Sequence, residues 1–412
     1  MNNKKEKTQK ADTSMLKKVN TGIIIDFIKK FKNGISIVQI SKNTNISKPT
    51  VGKIVDELIQ KKILLNLGKG SSKNGRKPNI ISFNKDYGFI ISLDLGPDDH
   101  KIAISNLDGE IINKKSFSIL ELPEEQRLKR IIDEIIFIKK AYNIKSNTLC
   151  IVAFGVPGIV NPEDGTVSSC PIFPSWENYP LEKELTEALN VTEVFLENDV
   201  NFCAYGEFYY CFNKEISNLF FITWSRGIGG GIIIDKSIYR GAKGAAGELD
   251  YSIIKNYGLK YKDANNNNPG YRVSVVSTAY MLDVAKDLAI NNKDSRLYSS
   301  VDGKIEKISL DLIFKLAREN EPLSKSIIDK AFEGLTTSVA DGIAFLAPEI
   351  VIIGGEVSDI IKNDEYYVKK ISKYIKNFII VYPTIQISCL GSEAGIMGGI
   401  AYCLEFLNDF II

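Results

Sequence analysis

The sequence has few of the residues that metal sites and histidine-dependent catalysis require. Its 412 residues include one histidine, His100, and no Cys-x-x-Cys pair. Neither a zinc site of His and Cys ligands nor a mechanism with a histidine base is therefore predicted, and no other cofactor is indicated. Six cysteines lie far apart, mostly inside apolar segments, and we interpret them as reduced core thiols of a cytoplasmic protein: Cys150, Cys170, Cys203, Cys211, Cys389 and Cys403.

Long hydrophobic runs are also missing. The longest, such as Leu219–Ile222 and Ile350–Ile353, have the length of a strand, so no membrane span is predicted. Residues Met1–Lys10 are rich in Lys and Asn without an apolar core, which predicts no secretory signal. A hydrophobic content of 44% and a charged content of 25% are typical of a soluble globular protein of two or three domains.

Charge is distributed unevenly along the chain. Residues 1–86 carry 19 Lys and Arg against 6 Asp and Glu, whereas residues 87–412 carry 33 against 44. A short basic module is therefore joined to a long acidic one. This division predicts a nucleic-acid partner for the first module and a different ligand for the second.

The basic module has the pattern of a winged helix-turn-helix. Residues 1–20 are predicted to be a disordered basic tail, and residues 21–86 to be the folded domain. In the second of its helices Val38 and Ile40 are the expected inward residues. The spacing of apolar residues and of turn residues predicts three helices and two strands, at Thr21–Phe31, Ser36–Asn43, Ser47–Lys61, Ile63–Leu67 and Asn79–Phe83.

Two sets of side chains in this module suit a double-stranded DNA operator. The start of the third helix presents Ser47, Lys48, Thr50 and Lys53, which fit phosphates and base edges. The loop between the strands reads GKGSSKNGRKP and supplies four cations: Lys69, Lys73, Arg76 and Lys77. A basic hairpin of this kind fits a DNA backbone or minor groove. The alternative is a solvated basic surface on a small helical domain.

From Tyr87 onward strands alternate with helices, which indicates an α/β module. Glycines and polar residues follow several predicted strands, at Gly155–Gly158, at Asn198-Asp199 and at Gly354-Gly355. The carboxyl ends of strands are where α/β sheets bind ligands. The module is therefore predicted to hold its ligand at these strand ends, between two lobes.

An ordered set of motifs in this module resembles the ROK family (repressors, open reading frames and kinases). The motifs are Asp94-x-Gly96, FGVPG, ENDVN, GIGGGI, YRGAKGAAGEL and IIGGEVS, and the GRKP wing resembles the repressor branch. The resemblance implies a two-lobed actin-like, ribonuclease-H-like module of the sugar-kinase type over residues 87–412. Lobe one would span about 87–200 plus the C-terminal helix 392–412, and lobe two about 201–391.

The resemblance also implies a sugar effector site. Asn198 and Asp199 match the Asn-Asp pair that holds sugar hydroxyls, although either residue also suits the cap of a helix beginning at Val200. Pro157 and Gly158 of the FGVPG motif are assigned to the same site. Glu248 matches the sugar-binding Glu of the family's GE-x-x-His motif.

Two positions of this site depart from the family pattern. Tyr251 replaces the His that ligates zinc in many members, and the cysteine cluster that normally follows is missing, so no metal is predicted. Arg272 stands near the position of a further sugar-binding Glu. An Arg suits a carboxylate or phosphate, which raises an anionic sugar as a hypothesis. The alternative is that Arg272 is a surface side chain.

The first phosphate loop of the family's kinases is also altered. The kinases resemble D-x-G-G-T, whereas this chain has Pro97, Asp98 and Asp99 after Gly96. Pro97 removes an N–H donor, and a carboxylate at about 4 Å from a phosphate costs roughly 4 kcal/mol at an effective dielectric near 20. A plain hairpin turn explains these residues equally well. Both interpretations predict that the chain is not an enzyme.

The sequence therefore predicts a transcriptional regulator, a repressor of carbohydrate-metabolism genes that responds to a sugar or sugar derivative. A homodimer or homotetramer is expected, because each helix-turn-helix contacts one half-site of an operator. Two alternatives stay open: an ATP-dependent sugar kinase with an added DNA-binding domain, and a regulator whose effector is a protein.

Overall fold

Four sheets organise the part of the chain that a computed structural model describes, which comprises residues 2–70, 77–96, 100–252, 273–362, 365–376 and 382–412. One sheet of three strands belongs to the N-terminal unit. Two sheets of five strands form the two lobes of the C-terminal module, and a two-stranded ribbon lies beside the first lobe.

The N-terminal unit consists of three helices and a small antiparallel sheet. Its elements are α1 (Asn2–Lys29), β1 (Ile35–Ser36), α2 (Ile37–Thr44), α3 (Lys48–Gln60), β2 (Leu64–Lys69) and β3 (Asn79–Phe83). The strand order is β1-β3-β2, with both pairings antiparallel. The two predicted strands are therefore joined by a third, two-residue strand that precedes α2.

Capping residues fix the turn between α2 and α3. Ser36 and Gln39 form a capping box at the start of α2, and Asn45 ends the helix in the left-handed conformation with φ of 57°. Ser47 caps α3, and Pro49 occupies its first turn. Within α2 the expected inward position of Val38 is wrong, because its side chain is 52% exposed, whereas Ile40 is buried as expected.

The predicted disordered tail over residues 1–20 does not agree with the structure, in which α1 already begins at Asn2. The second half of this helix is anchored by Ile24, Ile25 and Ile28, which are fully buried. Extending an anchored helix through Lys, Glu, Gln and Ala costs little, because these residues have high helix propensity and no new nucleus is needed. Residues 2–14 show no apolar face at helical spacing, so the sequence pattern did not indicate that α1 extends to Asn2.

Lobe one contains the first five-stranded sheet. Its strands and helices are β4 (Gly88–Asp94), β5 (His100–Ser105), β6 (Ile111–Phe117), α4 (Glu124–Ala141), β7 (Leu149–Val156), β8 (Ile159–Val160), β9 (Val167–Ser169), α5 (Leu181–Leu189) and β10 (Glu193–Asn198). The order is β10-β7-β4-β5-β6, in which β4, β7 and β10 are parallel. Helices α4 and α5 cover one face of this sheet.

Lobe two follows helix α6 (Asp199–Gly206) and a π-helical turn, Glu207–Cys211. It comprises β11 (Leu219–Trp224), β12 (Ile228–Ile234), β13 (Ser237–Ile238), α7 (Val273–Val276), α8 (Thr278–Asn291), α9 (Arg296–Ser299), α10 (Leu310–Arg318), α11 (Pro322–Leu346), β14 (Ile350–Gly354), α12 (Glu356–Ile361), α13 (Glu365–Ile375) and β15 (Thr384–Ile387). The chain then ends with α14 (Ala394–Glu405) and α15 (Leu407–Ile411).

The two lobes repeat one connectivity. The second sheet has the order β13-β12-β11-β14-β15, so that within each lobe the strands in chain order occupy positions 3-2-1-4-5. In both sheets the first three strands are antiparallel neighbours and the last two are parallel additions. This duplicated, mixed α/β arrangement is the actin-like, ribonuclease-H-like fold that the motifs predict.

The chain passes between the lobes twice. The first connection is residues 199–218, between β10 and β11, and the second is residues 388–393, between β15 and α14. Helices α6 and α14 cross at this point with two glycines in contact with the opposite backbone. A Cβ at Gly206 would lie 2.7 Å from Ala394 O, and a Cβ at Gly398 would overlap Phe202 O. The two lobes are therefore held by a crossing that admits no side chain.

The N-terminal unit shares its core with lobe one. Ile24 and Ile28 of α1 belong to the same hydrophobic cluster as Ile400 of α14 and Ile411 of α15. The Nδ2 of Asn408 also donates to Asp26 Oδ1 at 2.9 Å. The first helix is thus packed against the C-terminal helices and is not a tethered extension.

The interpretation of all six cysteines as reduced core thiols is wrong for one pair. Cys211 and Cys389 form a disulfide that links residues 178 apart in sequence. Cys150, Cys170 and Cys403 are buried free thiols, and Cys203 is a partly buried one. The pairing depends on the tertiary approach of the two interlobe connections, which spacing in the sequence does not indicate.

The crossing of α6 and α14 predicts a stability difference between two Gly→Ala variants. We expect Gly398→Ala to lower the free energy of unfolding by about 2 kcal/mol or more, because overpacking costs about 1–3 kcal/mol. Gly52→Ala is the matched control, since its helix α3 is equally regular and a Cβ there would meet no atom within 4 Å. That variant should be neutral or up to about 1 kcal/mol more stable. Urea unfolding measures both, and equal effects would contradict a tight crossing.

Candidate functional sites

The first candidate site lies at the carboxyl ends of three adjacent parallel strands in lobe one. In the register of the sheet, Asn198 pairs with Val156 and Asp94 pairs with Gly155. Asp94, the Pro157-Gly158 turn and the Asn198-Asp199 pair are therefore brought to one edge of the sheet. Ligands of α/β proteins bind at such an edge, and we name this region the cleft.

Asn198 has two structural contacts in the cleft. Its Oδ1 accepts from the backbone N–H groups of Val200 at 2.9 Å and Asn201 at 3.1 Å, which caps α6. Its Nδ2 donates to Gly158 O at 3.1 Å, which fixes the turn after β7. The helix-cap alternative thus describes the contacts of this side chain, and its role toward a sugar stays a prediction.

Asp199 is the first residue of α6 and faces other carboxylates. Burial raises the pKa of its carboxyl well above the usual value, and the charge of Asp94 raises it further. Glu248 adds to the same rise, while the N–H of Val200 opposes it. Asp199 is thereby shifted toward its neutral form, in which a carboxyl both donates and accepts hydrogen bonds.

Glu248 reaches the cleft from lobe two. Burial raises its pKa to about 7, and the charge of Asp250 adds to this shift. The preceding Gly247 has φ of 90°, and its carbonyl accepts from Gly230 N at 2.7 Å, so that this segment lies directly on β12. Only a glycine fits there, because a Cβ would overlap Gly230 O. The backbone of Tyr251 forms the next 3-10 turn, while its side chain and the whole of Arg272 lie outside the described residues.

The structure reveals an ion pair across the cleft that sequence reasoning missed. Arg240 Nε donates to Glu197 Oε2 at 2.6 Å, and its Nη2 donates to Tyr402 Oη at 3.0 Å. The other oxygen of the buried Glu197 accepts from Asn198 N and from Asn201 Nδ2, both at 2.9 Å. The contact therefore joins lobe two to β10 and α14 next to Asn198. Glu197 and Arg240 stand inside the ENDVN and YRGAKGAAGEL motifs, which was the available signal.

The equivalent edge of lobe two is occupied by protein side chains. Ser225 Oγ accepts from Glu356 N at 2.8 Å, and Thr278 Oγ1 donates to Glu356 Oε2 at 2.9 Å. Thr278 N donates in turn to Ser225 O at 2.9 Å. A carboxylate thus lies at the ends of β11 and β14. Pro97, Asp98 and Asp99, which the sequence singled out in the corresponding loop of lobe one, lie outside the described residues.

The second candidate site is the outer face of α3. Lys48, Thr50 and Lys53 are exposed there, and the exposed Ser47 Oγ lies 2.7 Å from Thr50 Oγ1 while it caps the helix. Lys69 at the end of β2 and Lys77 just before β3 are exposed on either side of the loop between these strands. The two further predicted DNA contacts, Lys73 and Arg76, fall outside the described residues.

None of the helices in the described part of the chain is long and apolar enough to cross a membrane.

The duplicated fold and the cleft define a two-lobed α/β protein of the sugar-kinase type with an added N-terminal unit. The sequence profile of the ROK family matches residues 90–405. The chain belongs to the ROK family, as its motifs predicted.

Three comparisons place the chain within this family. It is 31% identical over 405 residues to the xylose repressor of Caldicellulosiruptor bescii, which covers 96% of this chain and 98% of that protein. Its fold matches the crystal structure of a ROK family transcriptional regulator, a homologue of the E. coli MLC protein, with a TM-score of 0.76, 24% identity and coverage of 96% and 98%. It also matches a ROK glucokinase from Streptomyces griseus in complex with glucose and AMPPNP, with a TM-score of 0.65, 23% identity and coverage of 76% and 99%.

The raised pKa of Glu248 predicts a pH-dependent stability. Between its ordinary pKa of 4.5 and about 7 the folded protein binds this proton more tightly than the unfolded chain does. The free energy of unfolding should therefore fall as the pH rises through this window, by about 2–3 kcal/mol, and change no further above it. Glu248→Gln should lack this part of the fall between pH 5 and pH 8.

Urea unfolding at both pH values measures this difference. The exposed Glu163→Gln is the matched control and should retain the pH dependence of the wild type. The assignment would be refuted by a Glu248→Gln variant whose pH dependence equals that of the wild type.

Proposed function

We propose that this protein is a sugar-responsive, DNA-binding transcriptional repressor with a winged helix-turn-helix at its N-terminus. The observation that carries the proposal is the similarity to a xylose repressor over nearly the full length of both chains, N-terminal unit included. The glucokinase, in contrast, is covered almost completely while accounting for 76% of this chain. The N-terminal unit is therefore one of the features that distinguish this chain from a kinase.

The geometry of the N-terminal unit supports DNA as its partner. Helix α3 is capped by Ser47 and follows α2 through a tight turn at Asn45, which leaves its outer face with Lys48 and Lys53 exposed. The strands β2 and β3 extend toward a basic loop, as a wing requires. Such a helix fits the major groove while cations in the wing follow the backbone. Two copies are needed for the two half-sites of a palindromic operator, so we expect a homodimer or homotetramer to bind it.

The cleft supports a sugar as the effector. Asp94, Asp199 and Glu248 converge there from both lobes, and the pKa values of Asp199 and Glu248 are raised by burial. A polyol offers hydroxyl groups that donate to charged carboxylates and accept from neutral ones. Closure of the lobes around such a ligand would change the orientation of α1, which packs on the C-terminal helices. The effector thereby alters the affinity for DNA.

The side chains at the strand ends of lobe two oppose ATP-dependent catalysis. In lobe two Glu356 places a carboxylate beside Ser225, at the strand ends where the phosphates of a nucleotide would need hydrogen-bond donors. Asp199 alone would favour the kinase, since a carboxylate there suits a general base toward a sugar hydroxyl. A coupled assay of ADP release with D-glucose, D-xylose and Mg-ATP decides between the two, and we expect no sugar-dependent release.

The DNA interface predicts the effect of two lysine variants. Lys48→Ala and Lys53→Ala should each weaken binding to a duplex selected in vitro with the wild-type protein. Each should also lower the slope of log K against log salt by about 0.9, because one phosphate contact is lost. The exposed Lys183→Ala in lobe one is the matched control and should change neither quantity. Fluorescence anisotropy at several salt concentrations measures both, and unchanged slopes in the α3 variants would contradict the interface.

The effector site predicts a ligand-dependent shift in melting temperature. D-xylose, the first sugar to test given the similarity to a xylose repressor, should stabilise the protein by about 2.7 kcal/mol at about 100 times its Kd. Asp199→Asn should remove this shift without weakening DNA binding in the absence of sugar. The exposed Asp164→Asn should keep it. A shift in melting temperature with Mg-ATP would instead support the kinase. No shift with any of a panel of neutral and anionic sugars would support a protein effector.

A further inference from the structure

The two interlobe connections meet at a pair of cysteines. Cys211 ends the π-helical turn in the first connection, and Cys389 lies at the start of the second, and their sulfurs form a disulfide. Between them the chain builds β11 to β15, which is the whole sheet of lobe two. This disulfide therefore links the two interlobe connections covalently. Any movement of one lobe relative to the other must bend or shift these connections.

A buried carboxylate holds the second connection beside Cys211. Glu207 is fully buried in the same π-helical turn, and its side chain accepts from Ser388 Oγ, from Leu390 N at 3.0 Å and from Cys389 N at 3.3 Å. These contacts wrap residues 388–390 around the turn without any help from the sulfurs. The two thiols consequently stay close when the disulfide is reduced, so that it can form again.

The two sulfurs differ in their access to solvent. Cys389 is exposed and Cys211 is partly buried, whereas Cys150, Cys170 and Cys403 are buried in the cores. Small oxidants and reductants therefore reach the pair through Cys389. Exposed disulfides are the ones that exchange readily with thiols in solution, and π-helical turns often mark functional positions.

We propose that Cys211 and Cys389 are a reversible thiol pair that reacts with peroxides, and that its disulfide restrains the movement of the two lobes. The Cys389 thiolate attacks one oxygen of hydrogen peroxide, which gives a sulfenic acid and a hydroxide that takes up the thiol proton as water. The Cys211 sulfur then attacks the sulfenic sulfur, the S–S bond forms, and a second water leaves. Two thiols are oxidised, one peroxide is reduced to two waters, and an external dithiol reverses the reaction.

Glu207 also lies close enough to both sulfurs to suggest a metal site with three ligands. Its oxygens are already engaged by Ser388, Cys389 and Leu390, so the carboxylate serves to position the second connection. The pairing of the sulfurs favours the redox role. Chelator in every buffer keeps metal binding out of the experiment.

The test uses the full-length protein, reduced with dithiothreitol, desalted and then treated with hydrogen peroxide. Thiols counted in denaturant should fall by two per chain, peptide mapping should join the peptides of Cys211 and Cys389, and dithiothreitol should restore both thiols. Cys389→Ser should form no such link. Cys203→Ser is the matched control in the same connection and should lose two thiols like the wild type. A link between other cysteines, a link between chains, or no loss of thiols would overturn the proposal.

Restraint of the lobes is measured by hydrogen exchange of the two connections. In the oxidised protein the amides of residues 207–218 and 388–393 should exchange more slowly than in the reduced protein, by about threefold or more, because local opening is restricted. Peroxide should have no such effect on Cys389→Ser. Equal exchange in oxidised and reduced wild type would show that the disulfide restrains nothing.

The consequence for the effector rests on the proposed function. Oxidation should reduce the change in DNA affinity that D-xylose causes, while Cys389→Ser keeps the full change after peroxide. A protein that ignores D-xylose in both redox states would count against the proposed function alone, because thiol counts and hydrogen exchange decide the redox proposal independently. A full D-xylose response in the oxidised wild type would refute the restraint.

Discussion

The close crossing of α6 and α14 is the constraint on which the rest of the structure depends. Gly206 and Gly398 bring the two helices so near that a side chain at either position would meet backbone atoms of the other helix. Helix α6 begins at the cleft, with Asn198 as its cap, and α14 carries Tyr402, which contacts the ion pair of Arg240 and Glu197. The separation of the lobes, the position of the predicted effector residues and the interlobe ion pair are thus all set at one place.

The same crossing links the cleft to the N-terminal unit through packed elements. Phe202 of α6 and Ile396 of α14 share a hydrophobic cluster with Ile24 of α1. A closely packed core transmits a displacement because it has few voids to absorb it. Coupling between the effector and DNA still requires two arrangements with different affinities for the ligand. Any such change between the lobes has to pass through the two interlobe connections, where Cys211 and Cys389 lie.

Sequence reasoning predicted what depends on local patterns. Apolar strands ending in glycines, the spacing of apolar residues in the N-terminal helices, and the motif around Asn198 and Asp199 are short-range signals, and the helices and strands that they indicate are present. The two-lobed fold was predicted from the family motifs, because the spacing of residues alone does not indicate the strand order of either lobe. The helices between Val273 and Ile375 were not predicted individually. Burial on several faces removes the periodicity of α11, whereas α10 and α13 each keep one buried face at helical spacing.

The features that sequence reasoning missed are long-range contacts. Arg240 meets Glu197 across 43 positions, and Cys211 meets Cys389 across 178. Nothing in the neighbourhood of either residue encodes its partner, so only the assembled fold brings them together. The extended α1 is a different case. The missing apolar face suggested disorder, but the high helix propensity of the residues in this segment favours continuation of the helix.

The electrostatics of the cleft narrow the class of ligand. Asp94, Asp199 and Glu248 are all acidic, and burial raises the pKa of the last two. Three carboxyl groups therefore lie together where the charged form is unfavourable. A neutral polyol relieves this cost, since its hydroxyls donate to each carboxylate that stays charged. An anion would increase the repulsion. For the proposed effector, the described residues of the cleft therefore favour a neutral sugar over the anionic one that Arg272 suggested.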